Sequence, residues 1–116
     1  MIGKQASRLP QALWLKFKGL DGNVMVNKLG QWIDPATSRC SQLIHAIDSG
    51  IRVGNSEIVS MDCSLVAPFG KHLLEFGISP LIPEPWFNLY NNIWNTNYPM
   101  WFSGDVRFRF KLKNKK

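Results

Sequence analysis

The stretch Asn88-Leu-Tyr-Asn-Asn-Ile-Trp-Asn-Thr-Asn97 concentrates the side chains of this chain best suited to recognition chemistry. An Asn amide donates and accepts hydrogen bonds at once, which matches sugar hydroxyls, while a Trp or Tyr ring can stack on a sugar's C–H face. Asn91, Asn92, Trp94 and Asn97 are therefore the candidate carbohydrate-facing residues. The competing reading is structural, because Asn also fills tight turns by bonding its own backbone. The two readings differ in geometry: sugar recognition requires these side chains to gather on one side of a loop at the edge of the fold.

Bond-breaking chemistry finds less support. Glycoside hydrolysis ordinarily needs two carboxylates facing each other across the scissile bond. Asp21 and Asp48 sit in turn sequences and Asp34 precedes Pro35, places where Asp serves the local backbone. A Ser60, His45 and Asp62 triad lacks the nucleophile elbow that such catalysis uses. His45 lies in an apolar run and His72 beside Leu73, neither with a second ligand at metal spacing. Cys40 and Cys63 are too few for a disulfide framework and read as free structural thiols. No Gly-rich phosphate loop occurs. The sequence thus assigns no catalytic residue, no metal and no cofactor, and the chain alone is expected to be inactive.

The formal net charge is +6, from 14 Lys and Arg against 8 Asp and Glu. Much of the excess falls at the carboxyl end, between Arg107 and Lys116. Basic residues interleaved with aromatics there could form a single-stranded nucleic-acid platform. Their strict alternation argues against it, since Phe108 and Phe110 then point away from the Arg face and into a core.

These residues need strands to position them. In 11–18, Leu13, Leu15 and Phe17 fall on one face and Trp14, Lys16 and Lys18 on the other, the period of a half-buried strand. Turn residues separate it from the Val24-Met-Val26 strand, and 30–41, interrupted by Pro35, reads as a loop. Short apolar runs at 43–47, 51–53 and 57–61, parted by Asp48-Ser-Gly50 and Gly54-Asn-Ser56, read as a meander. Residues 71–76 fit one helical turn or a strand. Prolines break 80–85, Trp86 to Tyr90 resumes a strand, 91–98 reads as a loop, and 105–112 reads as one continuous strand with Val106, Phe108, Phe110 and Leu112 inward.

A chain of 116 residues with 45% hydrophobic composition suits one domain. The expected fold is all-β, an antiparallel β-sandwich, complete or incomplete, spanning 11–112 between an amino-terminal segment (1–10) and a basic tail (113–116). No signal-like leader and no apolar run of membrane-spanning length occurs, so the chain reads as soluble with no membrane partner.

Four blocks give a more specific expectation. Arg8-Leu-Pro-Gln-Ala-Leu-Trp-Leu-Lys-Phe17, Lys28-Leu-Gly-Gln-Trp-Ile-Asp-Pro35, His45-Ala-Ile-Asp-Ser-Gly-Ile51 and Phe87 to Trp101 together resemble the carboxyl-terminal region of an uncharacterised family related to glycoside hydrolase family 38, the α-mannosidases. The likeness is collinear from about Arg8 to Leu112; Asn95 departs from it where Gly is expected, and Cys63-Ser64 where Ala-Pro is expected. The resemblance implies an accessory β-sandwich from a larger glycoside-hydrolase-like protein, whose metal and catalytic acids belong to an amino-terminal catalytic domain. That domain would be the principal partner and carbohydrate a further one. An independent carbohydrate-binding or protein-interaction module is the alternative, with nucleic-acid binding third.

Overall fold

The computed structural model describes residues 1–4, 11–37, 44–70, 82–91 and 103–114. Among them there are strands and no helix: β1 (Ile2–Lys4), β2 (Ala12–Lys16), β3 (Val24–Lys28), β4 (Gln31–Ile33), β5 (His45–Ala46), β6 (Gly50–Val53), β7 (Ser56–Ser60), β8 (Leu65–Ala67), β9 (Trp86–Asn91), β10 (Gly104–Val106) and β11 (Phe110–Asn114). A five-stranded sheet runs β11-β7-β6-β3-β4, a four-stranded sheet runs β2-β9-β8-β5, and β1 pairs with β10 in a short ribbon. All these strand pairings are antiparallel. The expected all-β sandwich architecture is therefore present. No helix long and apolar enough to cross a membrane occurs among the described residues.

Alternation along the strands builds the core. Val24, Val26, Ile51, Val53 and Ile58 of the larger sheet and Val66 and Phe87 of the smaller one are buried together, closed by Ile47, Cys63 and Phe69. Three rings bridge the layers: Phe87 on β9, Phe110 on β11 and Phe17 just after β2, each pair edge to face at 4.9–5.7 Å between centroids.

The expected strand over Gln11 to Lys18 forms as β2, but its face assignment holds only in part. The pairing with β9 shifts register between Leu13 and Trp14, and Leu15, near the edge, is 38% exposed. Phe17 does pack on the core.

The 30–41 loop reading is corrected in its first part, because Gln31–Ile33 is β4, paired with β3. Its turn is hard to recognise: Leu29 and Gly30 both have positive φ, at 52° and 82°, as a two-residue primed hairpin turn demands, yet Leu stands where Asn or Gly is usual. Asn27 Oδ1 helps by accepting from Gly30 N–H at 3.2 Å. Leu29 is 94% exposed, so its side chain returns little for its strained backbone. Leu29→Asn is expected to raise the unfolding free energy by about 0.5–1 kcal/mol, read from denaturant midpoints, since Asn tolerates the left-handed region better.

The meander reading is corrected at its first turn. The Gly54-Asn55 turn joins β6 and β7 as a hairpin, whereas β5 and β6 belong to different sheets. At the crossing, Ile47 N–H bonds Ser64 O at 2.7 Å in the direction of β8, and Asp48 N–H bonds Asn27 O at 2.9 Å on β3. Successive amides thus stitch one corner of the sandwich. A second corner follows β7, where the Ser60 hydroxyl donates to Cys63 O and accepts from Cys63 N–H. Buried Cys63 is a free thiol whose sulfur donates to Asn88 O at 3.0 Å; burial pushes its pKa up, consistent with a structural thiol. Cys40, His72 and 71–76 lie outside the described residues.

The single strand expected over 105–112 is also corrected. β10 ends at Val106, 107–109 departs from strand geometry, and β11 begins at Phe110 in another sheet. Phe108 and Phe110 are half-buried against the core and Arg107 and Arg109 exposed, as the alternation implies, but Leu112 is 61% exposed at the sheet edge. Asp62 holds the break: its carboxylate accepts from Arg109 Nε, Nη2 and backbone N–H at 2.8–2.9 Å, and Met61 N–H bonds Arg109 O. The Arg109 side chain, above all by hydrogen bonding, holds the Asp62 pKa below its ordinary 3.8. A depressed carboxyl pKa stabilises the fold above the unfolded value, and that contribution disappears as pH falls through the folded one. Asp62→Asn is therefore expected to lower the denaturation midpoint at neutral pH, with the gap from the parent chain closing below pH 3.8.

Candidate functional site

The phase of the four-stranded sheet is set by Phe87, which points into the core, so its neighbours Trp86 and Asn88 lie on the opposite side of the sheet, Trp86 half-buried and Asn88 buried. The register places Trp14 opposite Asn88 and Lys16 opposite Trp86, with Ala67 on the far side of Trp86. Trp14 and Trp86 are thus diagonal neighbours on one outer face, within reach of each other's large side chains. Both are half-buried.

Glu84 completes the arrangement from the segment entering β9. Its backbone is fixed against 68–70: Glu84 N–H donates to Pro68 O at 2.9 Å and Gly70 N–H to Glu84 O at 3.0 Å. Pro85, fully buried, follows. Held there, Glu84 Oε1 accepts from Trp86 Nε1 at 2.9 Å and lies 2.5 Å from Lys16 Nζ. The ammonium is also 5.3 Å from the Trp86 ring centroid, in cation–π range. The Lys16 and Glu84 side chains stay 27% and 35% exposed, so ligand could reach both. Beside them Lys16, Phe17, Lys18, Gly19, Leu20, Pro83 and Glu84 line an open groove of about 380 Å³.

The other end of β9 carries a second polar feature. Asn88 is 4% exposed, its Oδ1 accepts from Asn91 Nδ2, and its own buried Nδ2 has no hydrogen-bond partner. Such an orphaned donor is uncommon and costs free energy until a ligand or water meets it.

Of the sequence-derived candidates, Asn91 is the last residue of β9 and not the start of a loop, which corrects that boundary. Asn92, Trp94 and Asn97 lie outside the described residues. The structure instead brings forward Trp14, Lys16, Glu84 and Trp86. Strand alternation puts Trp14 and Lys16 on one face, and 86–90 reads as a strand; only the long-range register shows that the two strands pair.

The carboxylates are mostly committed. Asp21 Oδ1 accepts from Gly22 N–H and Asp34 Oδ1 from Ala36 N–H, the expected turn roles. Glu57 pairs with Arg52 at 3.6 Å, Asp62 with Arg109, and Glu84 with Lys16. His45 is buried in β5, as expected of a core histidine. No group of three or more His, Cys, Asp or Glu converges at metal-binding distance among the described residues. The face brings together two half-buried indoles and a partly exposed charge pair.

No family model, curated protein or solved structure matches this chain.

Proposed function

We propose that this chain is a non-catalytic β-sandwich module that faces carbohydrate with the outer surface of its four-stranded sheet, as an accessory part of a glycoside-hydrolase-like protein. The observation that carries the reading is the Trp86 cluster, an indole pinned through Nε1 to Glu84 and flanked by Lys16, with Trp14 diagonal to it. A sugar needs a ring for its C–H face and charged or amide groups for its hydroxyls, and preorganised groups bind with less ordering cost. The exposed parts of Lys16 and Glu84 supply hydroxyl partners. Asn91 continues the same strand, and Asn92, Trp94 and Asn97 follow it in the chain as candidates for the same surface. The resemblance to the α-mannosidase-related family supports a parent with a separate catalytic domain, which this module would abut.

An open face desolvates few ligand atoms, so binding of single sugars is expected to be millimolar or weaker. Titrating methyl α-mannoside while following Trp fluorescence tests the reading: Trp86→Ala should abolish the response and Lys16→Ala weaken it. A saturable response that both variants keep would place recognition elsewhere.

A further inference from the structure

The larger sheet ends, among the described residues, on β11, and the direction of that strand's hydrogen bonds follows from its neighbours. Met61 N–H donates to Arg109 O across the β7–β11 register, and Ser60 N–H donates to Ser49 O on the β6 side. Because an antiparallel ladder alternates bonded and non-bonded pairs, Lys111 and Lys113, opposite Val59 and Glu57, bond toward β7. The backbone groups of Phe110, Leu112 and Asn114 therefore point to the open side. The strand contains neither Pro nor a bulge, so this edge remains competent to pair. Leu112 shares the inner face with its partner Ile58, yet is 61% exposed where Ile58 is buried.

Lys111 and Lys113 lie on the outer face of the same strand, both exposed. They discourage a second copy, since pairing β11 with β11 would bring two rows of lysine together. The same charges favour an acidic strand. The geometry points to β11 as the acceptor for one additional β-strand, donated by an acidic extended segment of a partner polypeptide. Its carboxylates would face Lys111 and Lys113, and its alternate apolar residues would lie beside Leu112 and extend the core. Backbone pairing supplies affinity and the side-chain alternation supplies selectivity, as in other cases of strand addition.

The test uses the full chain and a short fluorescent peptide alternating Glu and Val, with a Lys and Val peptide as its counterpart, read by anisotropy. The acidic peptide should bind and the basic one should not, and Lys111→Glu with Lys113→Glu should reverse the preference. Leu112→Pro removes an edge N–H that β7 does not use, a position where a sheet tolerates Pro. It should weaken binding at least about tenfold, the scale of one lost backbone bond to a strand partner together with its apolar contact. Asn114→Pro probes the next outward N–H and should also weaken binding, so the result does not depend on one variant folding. Binding that falls on charge reversal but survives both Pro substitutions would show surface attraction without strand pairing and overturn the proposal. So would equal binding of both peptides, or self-association through β11 that shuts the peptide out.

Discussion

Phe87→Ala is expected to lower the unfolding free energy by about 3–5 kcal/mol, the range for truncating a fully buried aromatic side chain. Phe87 has no exposed surface and lies 5.7 Å from Phe17 and 4.9 Å from Phe110, between centroids. Its ring comes from the four-stranded sheet and Phe110 from the five-stranded one, so truncation opens a cavity where the layers meet. Collapse into that space is opposed by strand pairing on both sides, which keeps the cavity term large. Against a total stability of about 5–15 kcal/mol for a domain, such a loss leaves little folded margin. Phe110→Ala, at a half-buried position, should cost less. Urea unfolding followed by far-ultraviolet circular dichroism measures both; a loss under about 1 kcal/mol for Phe87→Ala would contradict the described packing.

Gly50→Ala should have the second-largest effect, for a reason of space. A Cβ on Gly50 would stand 2.2 Å from Ile58 O, a backbone atom that cannot swing aside as a flexible side chain would. Accommodating it forces β6 and β7 apart at the centre of the larger sheet, with a cost of about 1–3 kcal/mol or more. Gly19 is the control: its φ of 76° disfavours other residues, but a Cβ there would meet nothing within 4 Å. Gly19→Ala should therefore cost only the conformational penalty, about 1–2 kcal/mol at most, and Gly50→Ala should exceed it. The reverse order of denaturation midpoints would show that the two strands can separate cheaply.

The contrast bears on what the sequence made legible. Strands with clear period-two patterning or bounded by ordinary turn residues, such as β6, β7 and β9, could be read directly. β4 could not, because a Leu-Gly turn with both φ positive carries none of the usual Asn-Gly signal. The division of the 105–112 pattern into β10 and β11 was hidden for another reason. Alternation continues through Arg107 to Arg109, and only the long-range Asp62–Arg109 contact shows where the chain changes sheets. Sheet membership follows from pairing across many residues, which is also why Asp48-Ser49 looked like a hairpin turn and is instead a crossing.

The β2–β9 face follows the same logic. Trp14 and Lys16 share a side by local periodicity alone, but Trp86 joins them only through the β2–β9 register and Glu84 only through its bridge to Phe69. The Asn-rich segment stands out in the sequence because an amide cluster is visible without knowledge of strand pairing. Asn91, the first of the candidates in that segment, ends the strand that carries Trp86 and Asn88.

The central claim is that the outer face of β2 and β9 meets carbohydrate, and the most direct measurement is an amide and indole NMR titration of the full chain with methyl α-mannoside and other methyl glycosides. At least one glycoside should shift the indole N–H signals of Trp14 and Trp86 and the side-chain amide of Asn88 in a common saturating curve, with the Trp32 indole, stacked under Arg52 on the opposite sheet, unchanged. Unmoved Trp14 and Trp86 signals with every sugar, or shifts confined to the Trp32 face, would contradict it.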